Sequence, residues 1–390
     1  MTTTMKRRPD IDNLRSAATF LLLAFHTAKV YDYSPAYHVK NNVSWQGLDV
    51  FTGFVHQWHM PLFFVLAGWS MAAAMRRRGA SEIRRERWQR LGIPLLVFIF
   101  TACLWIGWIE AHHLHDRTVA DSASPIHVFG IDLTWSHLWF LVYLLTFSQL
   151  YVRYFAKLHA RTEDPVVDRR TLVRFGGVMI AIQVLLRWAF PGQQNLVWDW
   201  ANFAYYSLFF VAGFWIGRFA SVDKLVDEHR VVATRIGLVA AALMVPFWLR
   251  IITVEGPADW AGYLVYQVLS ALAGVGLVIG ILGWARRSFT GAGRLHAWAK
   301  DRAFGVYLLH QAFVVAAAVL VIRTHWPIAV KYAATFALAT ALTLAVNELL
   351  LRVDWLAPAF GRDRLRRGAV PTNSDRGEHR DDRRRPTEAL

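Results

Sequence analysis

The stretch RSAATFLLLAFHTAKVY, residues 15–31, decides the fold class, because it is an apolar run about as long as a membrane helix. Nine more apolar runs follow it, each long enough to cross a hydrocarbon core that takes roughly 17–25 residues. The ten predicted spans cover residues 15–31, 49–75, 91–111, 135–155, 172–190, 202–220, 233–253, 262–284, 303–323 and 329–351. The sequence therefore predicts an all-α polytopic membrane protein.

The composition points to the same class. Hydrophobic residues make up 55% of the 390 residues and charged residues only 18%, whereas soluble domains are about 45–50% apolar with glycine counted and about 25% charged. These values exclude an intrinsically disordered protein and disfavour a soluble globule. The single cysteine, Cys103, excludes both an internal disulfide and a cysteine-rich zinc site.

The basic residues indicate how the spans are oriented. When both termini are placed in the cytoplasm, 36 of the 43 lysines and arginines fall on the cytoplasmic side, as the positive-inside rule requires. We therefore predict ten spans with both termini cytoplasmic, in the inner (cytoplasmic) membrane of the cell. The net charge of +15 then reflects topology, and no nucleic-acid partner is expected.

The two ends of the chain lie outside the predicted transmembrane domain. Residues 1–14 are predicted to be a cytoplasmic N-terminus, and no small-residue cleavage site follows the first span, so we expect it to be retained. The transmembrane domain covers residues 15–351. Residues 352–390 are basic and poor in apolar side chains, which predicts a disordered cytoplasmic tail. The tail could serve topological retention or contact anionic lipid headgroups.

Ionisable residues inside membrane helices usually mark functional sites. In the first span, Arg15 and His26 are eleven residues apart, which places them on nearly one face and about 16 Å apart along the axis. Asp12 and Thr19 fall close to that face. This polar stripe predicts a functional surface, and the alternative is a packed histidine beside an arginine that anchors the helix.

The second span carries His56 and His59, three residues apart and predicted to share a face near its outer third. Pro61 is expected to kink or loosen the helix just below them. Gly68 is expected to allow close approach of another helix. His59 could be functional or could belong, with His56, to an interfacial belt of histidine and tryptophan.

The loop after the second span, RRRGASEIRRERWQRLGIP, is the most basic in the sequence. If it is helical, Arg84, Arg87 and Arg90 recur at a spacing of three along one side. Guanidinium groups bind phosphate in a bidentate geometry, so these arginines suit a phosphate-bearing cytoplasmic ligand. The alternative is positive charge that serves topology alone.

Two further segments place polar side chains in spans. His137 and Trp139 lie at the outer end of the fourth span, and Tyr307, His310 and Gln311 share a face of the ninth.

Three histidines of an outer loop are candidate metal ligands by residue type alone. His112, His113 and His115 lack an accompanying HExxH spacing, so we expect no metal site.

Several of these segments together resemble the membrane-bound acyltransferase family 3, over about residues 8–350. IDNLRSAATFLLLAFH is similar to the opening helix of the family, whose Arg-x10-His motif falls on Arg15 and His26. HMPLFFVLAGW is similar to the FFVLSGF segment, and RERWQRLGIP to an Arg-x-x-Arg motif that falls on Arg87 and Arg90. HLWFL and YLLH resemble segments of the branch that modifies glucans.

The resemblance implies transfer of an acetyl or succinyl type of acyl group from cytoplasmic acyl-CoA to a hydroxyl of an extracytoplasmic glycan or glycolipid. Acyl-CoA would be a donor co-substrate, and no permanently bound cofactor is expected. His26 would act as general base, since imidazole titrates near neutral pH, with Asp12 and Arg15 orienting the site or binding phosphate. A transient acyl-histidine is an alternative.

The remaining predicted roles are assigned by position. Arg84, Arg87 and Arg90 would bind the phosphates of coenzyme A at the inner face. The acceptor would be bound by side chains of the second, fourth and ninth spans, namely His59, His137, Trp139, Tyr307 and His310.

The sequence departs from the family pattern at Ala67, which replaces the serine of FFVLSGF, so no role can be given to that hydroxyl. The alternative function is a membrane transporter or flippase for a polar or glycan-type substrate, which would predict two related halves with broken helices. No such duplication is visible. The sequence leaves the acyl group, the acceptor and the oligomeric state open.

Overall fold

The computed structural model describes residues 8–34, 37–113, 127–128, 131–132, 134–192, 194–254 and 259–362. Almost all of the regular structure among them is helical. The α-helices are α1 Pro9–Tyr31, α2 Gln46–Met75, α3 Ala80–Arg87, α4 Ile93–Phe98, α5 Leu104–His113, α6 Trp139–His159, α7 Arg169–Leu186, α8 Trp200–Arg218, α9 Ala220–Trp248, α10 Trp260–Ser288, α11 Arg294–Val321 and α12 Ile328–Leu351.

The remaining regular elements are short. Two strands of two residues each, β1 His127–Val128 and β2 Ile131–Asp132, form an antiparallel ladder. Two 3-10 helices cover Ser136–Leu138 and Asp354–Phe360. Apart from this ladder, every regular element of the described residues is helical, which confirms the prediction of an all-α architecture.

Each of the ten predicted spans coincides with a helix, and six helices are long and apolar enough to cross a membrane by length and composition. These six are Gln46–Met75, Ala80–His112, Ala220–Trp248, Trp260–Ser288, Arg294–Val321 and Ile328–Leu351. The chain is therefore a membrane protein with several apolar helices. The count of ten spans and the cytoplasmic position of both termini stay predictions.

The basic loop is helical and continues without interruption into the third span. Two π-helical turns, Trp88–Gly92 and Ile99–Cys103, join α3, α4 and α5 into one run. A π-helical turn closes i→i+5 hydrogen bonds and so holds more residues than an α-helical turn. Side chains three residues apart across the first π-turn therefore lose the alignment that the α-helical spacing predicted.

Two glycines bring α2 and α8 into backbone contact. A Cβ atom on Gly68 would lie 1.9 Å from the carbonyl oxygen of Phe210, and one on Gly213 would lie 2.0 Å from that of Val65. Only glycine fits at such a distance. The predicted close approach at Gly68 is thus present, and α2 runs through Pro61 as a single α-helix.

The folded region extends beyond the predicted domain boundary. The 3-10 helix Asp354–Phe360 follows α12, and the ring of Phe360 packs edge to face on Phe98 with the centroids 5.5 Å apart. Phe360 is buried in this contact, so residues 354–360 pack on the helical region, and the boundary at residue 352 stays a prediction. The rest of the predicted tail, from residue 363, lies outside the described residues.

Candidate active site

Three histidines from three different helical segments meet in the half of the bundle that holds the end of α1 at Tyr31. The rings of His26 and His310 lie 4.9 Å apart, centroid to centroid, and those of His137 and His310 lie 5.2 Å apart. His310 is completely buried, and His137 is nearly so. The structure thus brings together residues that are far apart in the sequence.

The main chain fixes the orientation of two of these rings. His310 donates from Nδ1 to the carbonyl oxygen of Tyr307 at 2.7 Å, one turn back on α11. His137 contacts the carbonyl oxygen of Leu308 through Nε2 at 3.1 Å, and the hydroxyl of Tyr307 donates to the carbonyl oxygen of His137 at 3.0 Å. These bonds join α11 to the start of α6 and place Tyr307, His137 and His310 together, while their roles in acceptor binding stay predictions.

In each of the three rings, one nitrogen is buried and has no hydrogen-bond partner among the described residues. These nitrogens are His310 Nε2, His137 Nδ1 and His26 Nδ1. Because Nδ1 of His310 is the donor, its Nε2 carries a lone pair in the neutral ring. A buried polar atom without a partner costs about 1–3 kcal/mol, so the cluster is suited to a ligand that supplies hydrogen-bonding groups.

His59 and Trp139 are placed differently from the three clustered histidines. His59 is buried and binds the carbonyl oxygen of Ala18 through Nε2 at 2.7 Å, which ties α2 to α1. Trp139 packs against aromatic rings, with centroid distances of 6.4 Å to Phe64 and 5.6 Å to Tyr206. Both residues support the helices around the site, and neither ring has a free nitrogen buried in the cluster.

His56 lies on another side of α2 from His59, contrary to the prediction that they share a face. It lines a cavity of about 440 Å³ between α2, α7, α8 and α10, together with Arg187 and Gln267. The i,i+3 spacing rotates the two side chains apart by about 60°. That rotation is enough to direct His59 to α1 and His56 to the cavity, so His56 does not belong to the histidine cluster.

Charged residues gather at the opposite end of α1. Arg15 donates from Nη2 to the hydroxyl of Ser70 at 2.6 Å, and its Nη1 lies 4.0 Å from Oδ1 of Asp12. Asp12 is also paired with Lys300, whose Nζ lies 3.0 Å from Oδ2. Thr19 bonds only to its own helix, at the carbonyl oxygen of Arg15. Asp12 thus positions two cations near the inner end of the predicted span.

The three arginines of the basic loop have separate surroundings, so they do not form the single row that the spacing predicted. Arg84 is exposed and donates to Gln149 of α6 at 3.1 Å. Arg90, on the first π-turn, pairs with Glu86 at 3.1 Å. Arg87 is half-buried within electrostatic range of Arg15, and no acceptor among the described residues reaches its buried Nε.

The cluster also has neighbours that the sequence did not single out. His38, in the loop between α1 and α2, contacts Ser136 and Glu110, and the amide of Gln311 lies against the same imidazole. Tyr37 stacks on His26 with the ring centroids 6.0 Å apart. Apart from Gln311, which shares a face of α11 with Tyr307 and His310, these residues come from loops and helix ends that have no periodic pattern, and only the position of Ser136 directly before His137 hints at a role.

No metal centre is found in the part of the chain that the structure describes, where no group of three histidine, cysteine or carboxylate side chains could hold an ion. Of the three outer-loop histidines, His112 is exposed and bonds to its own helix at Trp108. The side chain of His113 and all of His115 lie outside the described residues.

Comparison with known proteins agrees with the motifs. A family model described as an acyltransferase domain matches residues 8–351. Among curated proteins, the chain is 26% identical over 175 residues to glucans biosynthesis protein C of Shigella dysenteriae serotype 1 (strain Sd197) and of Escherichia coli (strain K12). Each alignment covers 44% of this chain and 44% of the relative, so the chain matches less than half the length of these proteins. Because the family model spans nearly all of the helical region, the chain belongs to the acyltransferase 3 family.

Proposed function

We propose that the chain is an integral membrane O-acyltransferase that moves an acyl group, of acetyl or succinyl type, from cytoplasmic acyl-CoA to a hydroxyl of an extracytoplasmic glycan or glycolipid. One observation carries the proposal. At one end of α1, Asp12 pairs with Arg15 of the same helix and with Lys300 of α11, and near the other end His26 lies in a cluster of imidazole nitrogens that have no partner among the described residues. Family membership supports acyl transfer as the reaction.

The donor would bind by its phosphates at the arginine end. Arg15 and Arg87 lie within electrostatic range of each other, and the buried Nε of Arg87 has no acceptor among the described residues. The two guanidinium groups repel each other, and Asp12 beside Arg15 and Glu86 beside Arg87 offset only part of that repulsion. Phosphate provides a further anion and accepts several charge-assisted hydrogen bonds. Arg84 and Arg90 lie aside from this pair and would contribute less.

The acyl group would reach the histidine cluster along α1. The eleven residues from Arg15 to His26 correspond to about 16 Å along the helix axis. An extended pantetheine arm is comparable in length, so the thioester can lie beside His26 while the phosphates remain with the arginines. Donor and acceptor could therefore enter from opposite sides of the membrane and meet in the cluster.

His26 would act as the general base. Its imidazole takes the proton of the acceptor hydroxyl, the oxygen attacks the thioester carbonyl, and the C–S bond breaks. The thiol of coenzyme A then leaves with the proton. His310, whose buried Nε2 carries a lone pair, and His137 would hold the acceptor hydroxyl groups by hydrogen bonds.

A glucan is the acceptor class that the comparisons favour, since the relatives are named glucans biosynthesis proteins. The test uses the purified chain in detergent with acetyl-CoA or succinyl-CoA and short glucose oligomers. The proposal predicts release of free coenzyme A that depends on the oligomer, and an oligomer heavier by one acyl group. A transporter would release no coenzyme A, and that result would contradict the proposal.

A further inference from the structure

Ser136, His38 and Glu110 lie in the order hydroxyl, imidazole, carboxylate. The hydroxyl oxygen of Ser136 is 3.1 Å from Nε2 of His38, and Nδ1 of the same ring is hydrogen-bonded to Oε1 of Glu110. When the carboxylate accepts from Nδ1, the lone pair of the neutral ring is on Nε2, which the serine hydroxyl and the amide nitrogen of Gln311 both contact. This is the arrangement that activates a serine nucleophile in unrelated hydrolases, where geometry and not sequence position defines it.

The backbone at Ser136 is strained. Its φ of +39° is in the left-handed region, which non-glycine residues seldom adopt. Neighbouring bonds hold it there, since Leu138 donates its amide to the carbonyl of Trp135 at 2.7 Å and the Trp135 indole donates to the carbonyl of Gln194 at 3.1 Å. Strain of this kind persists where surrounding structure enforces it, and it clusters at functional sites.

The three residues lie beside the histidine cluster. The amide nitrogen of Gln311 is 3.3 Å from the hydroxyl oxygen of Ser136, and the adjacent residue, His310, has its ring 4.9 Å from that of His26. Tyr37 lies between the two regions, 6.0 Å from His26 and 5.1 Å from His38, centroid to centroid. Ser136 is therefore at the same level of the bundle as His26.

Tyr37 also carries a hydroxyl, and its ring lies beside both His26 and His38. The chemistry of this phenol differs from that of the Ser136 hydroxyl. Burial raises the pKa of the Tyr37 phenol well above its ordinary value, with the charges of Asp32 and Glu110 adding to the effect. The phenol therefore stays neutral. No imidazole nitrogen among the described residues is hydrogen-bonded to it, since its buried hydroxyl has no partner there.

We propose that Ser136 is a nucleophile that carries the acyl group as an ester between donor and acceptor, with His38 as its base and Glu110 as the positioning residue for His38. This proposal rests on the proposed function, which supplies acyl-CoA as the acyl donor. It adds a covalent intermediate to the reaction. His38 then takes the proton of Ser136, and His26 takes the proton of the acceptor hydroxyl.

The steps balance in atoms and protons. In the first, the Ser136 proton moves to Nε2 of His38, the serine oxygen bonds to the acyl carbon, and the C–S bond breaks so that coenzyme A leaves as the thiolate. Glu110 stabilises the resulting imidazolium. In the second, His26 takes the acceptor proton, the acceptor oxygen bonds to the acyl carbon, and the ester oxygen of Ser136 recovers its proton from His38. His26 finally gives its proton to the thiolate, which forms free coenzyme A.

The experiment traps the ester. The full chain in detergent is mixed with radiolabelled acetyl-CoA or succinyl-CoA without acceptor, quenched in acid, digested, and read by mass spectrometry of the labelled peptide. We expect label on the peptide that contains Ser136, in the wild type and in His26→Ala alike, because no acceptor is present and His26 acts only in the second step. Ser136→Ala and His38→Ala should lose label by at least about 100-fold. Ser148→Ala, a buried serine of α6, should label like the wild type.

Conservative substitutions at Ser136 and Glu110 distinguish loss of the chemical step from loss of folded protein. Ser136→Cys should form a thioester that neutral hydroxylamine releases, whereas the serine ester resists it; label that resists hydroxylamine in this variant would overturn the proposal. Glu110→Gln should label slowly, and Glu110→Asp should restore part of the rate, because only the carboxylate holds the imidazole in the required tautomer.

The outcomes distinguish the serine ester from the proposed function. Acylation of the glucan oligomer with no labelled protein, even in His26→Ala, would overturn the serine ester and leave the proposed function intact. Labelled Ser136 with no acylated oligomer would support the ester and contradict the proposed acceptor.

Discussion

The imidazole rings of His26 and His310 lie 4.9 Å apart with an interplanar angle of 49°, although one is near the end of the first helix and the other in the middle of α11. Each ring keeps a buried nitrogen without a hydrogen-bond partner among the described residues. The pair can therefore bind two oxygens of one ligand, one as a base and one as a hydrogen-bonding group. Substitutions at the two positions should accordingly have different kinetic effects.

Replacing His310 or His137 should weaken acceptor binding more than it slows chemistry. Their main-chain bonds hold the rings in place, and each presents one nitrogen to a ligand. We expect His310→Ala and His137→Ala to raise the KM for the glucan oligomer about 10-fold, since one hydrogen bond contributes about 0.5–1.5 kcal/mol. Initial rates over a range of oligomer concentrations measure this. An unchanged KM with a much lower kcat would instead give His310 the role of base.

Donor binding is tested by substituting Arg87, with Arg84 as the matched control position. Arg87 lies within electrostatic range of Arg15, whereas Arg84 is exposed and bonded to Gln149. Arg87→Ala should weaken acyl-CoA binding by about 1.5–3 kcal/mol, because it removes a charge-assisted hydrogen bond to phosphate, and Arg84→Ala should change it little. Arg87→Lys should restore only part of the affinity, because lysine lacks the planar fork. Titration of the purified variants with acyl-CoA gives the affinities, and equal effects at both positions would contradict the assignment.

Gly68 tests the close packing between α2 and α8. A methyl group there meets the carbonyl of Phe210 at 1.9 Å, so Gly68→Ala should destabilise the protein by about 1–3 kcal/mol or more as the helices separate. Gly177→Ala is the control, because nothing lies within 4 Å of its Cβ position and alanine favours helix. Thermal unfolding in detergent measures both. A Gly68→Ala protein as stable as the control would contradict the close packing.

The topology is tested by reporter fusions. The distribution of basic residues, 36 of 43 on one side, predicts that a reporter fused after Leu390 is cytoplasmic and one inserted after Asp121 is external. Alkaline phosphatase and green fluorescent protein fusions report the two sides. An external signal at Leu390 would contradict the ten-span arrangement.

The helices could be predicted well from the sequence because apolar length and helical period are local properties. Every predicted span coincides with a helix, and Gly68 lies at a close helix contact as expected. Local pattern could not reveal the π-turn at Trp88–Gly92, which contains Arg90 and changes its direction relative to Arg87. It also missed the packing of Phe360 on Phe98, because residues after α12 have no periodic signal.

Residue spacing alone could group candidate site residues only where they share a helix, and residues of different spans were grouped through the family resemblance. Arg15 and His26 were found from their spacing, and Tyr307 and His310 from theirs. The meeting of His26 with His310 depends on packing between α1 and α11, and that of His38 with Glu110 and Ser136 depends on two loops and a helix end. Such contacts are set by tertiary structure, so the spacing of residues along the chain does not reveal them.

The most direct test of the account is acyl transfer by His26→Ala at matched amounts of folded protein, with acyl-CoA and the glucan oligomer both present. Loss of a general base lowers the rate by about 10²–10⁴-fold, so the variant should be nearly inactive while its acyl-CoA affinity stays close to that of the wild type. His26→Gln should be nearly as inactive, and His229→Ala, whose ring bonds within α9, should be fully active. If His26→Ala keeps more than about a tenth of the wild-type rate, a smaller loss than removal of a base gives, His26 is not the base and the central claim is wrong.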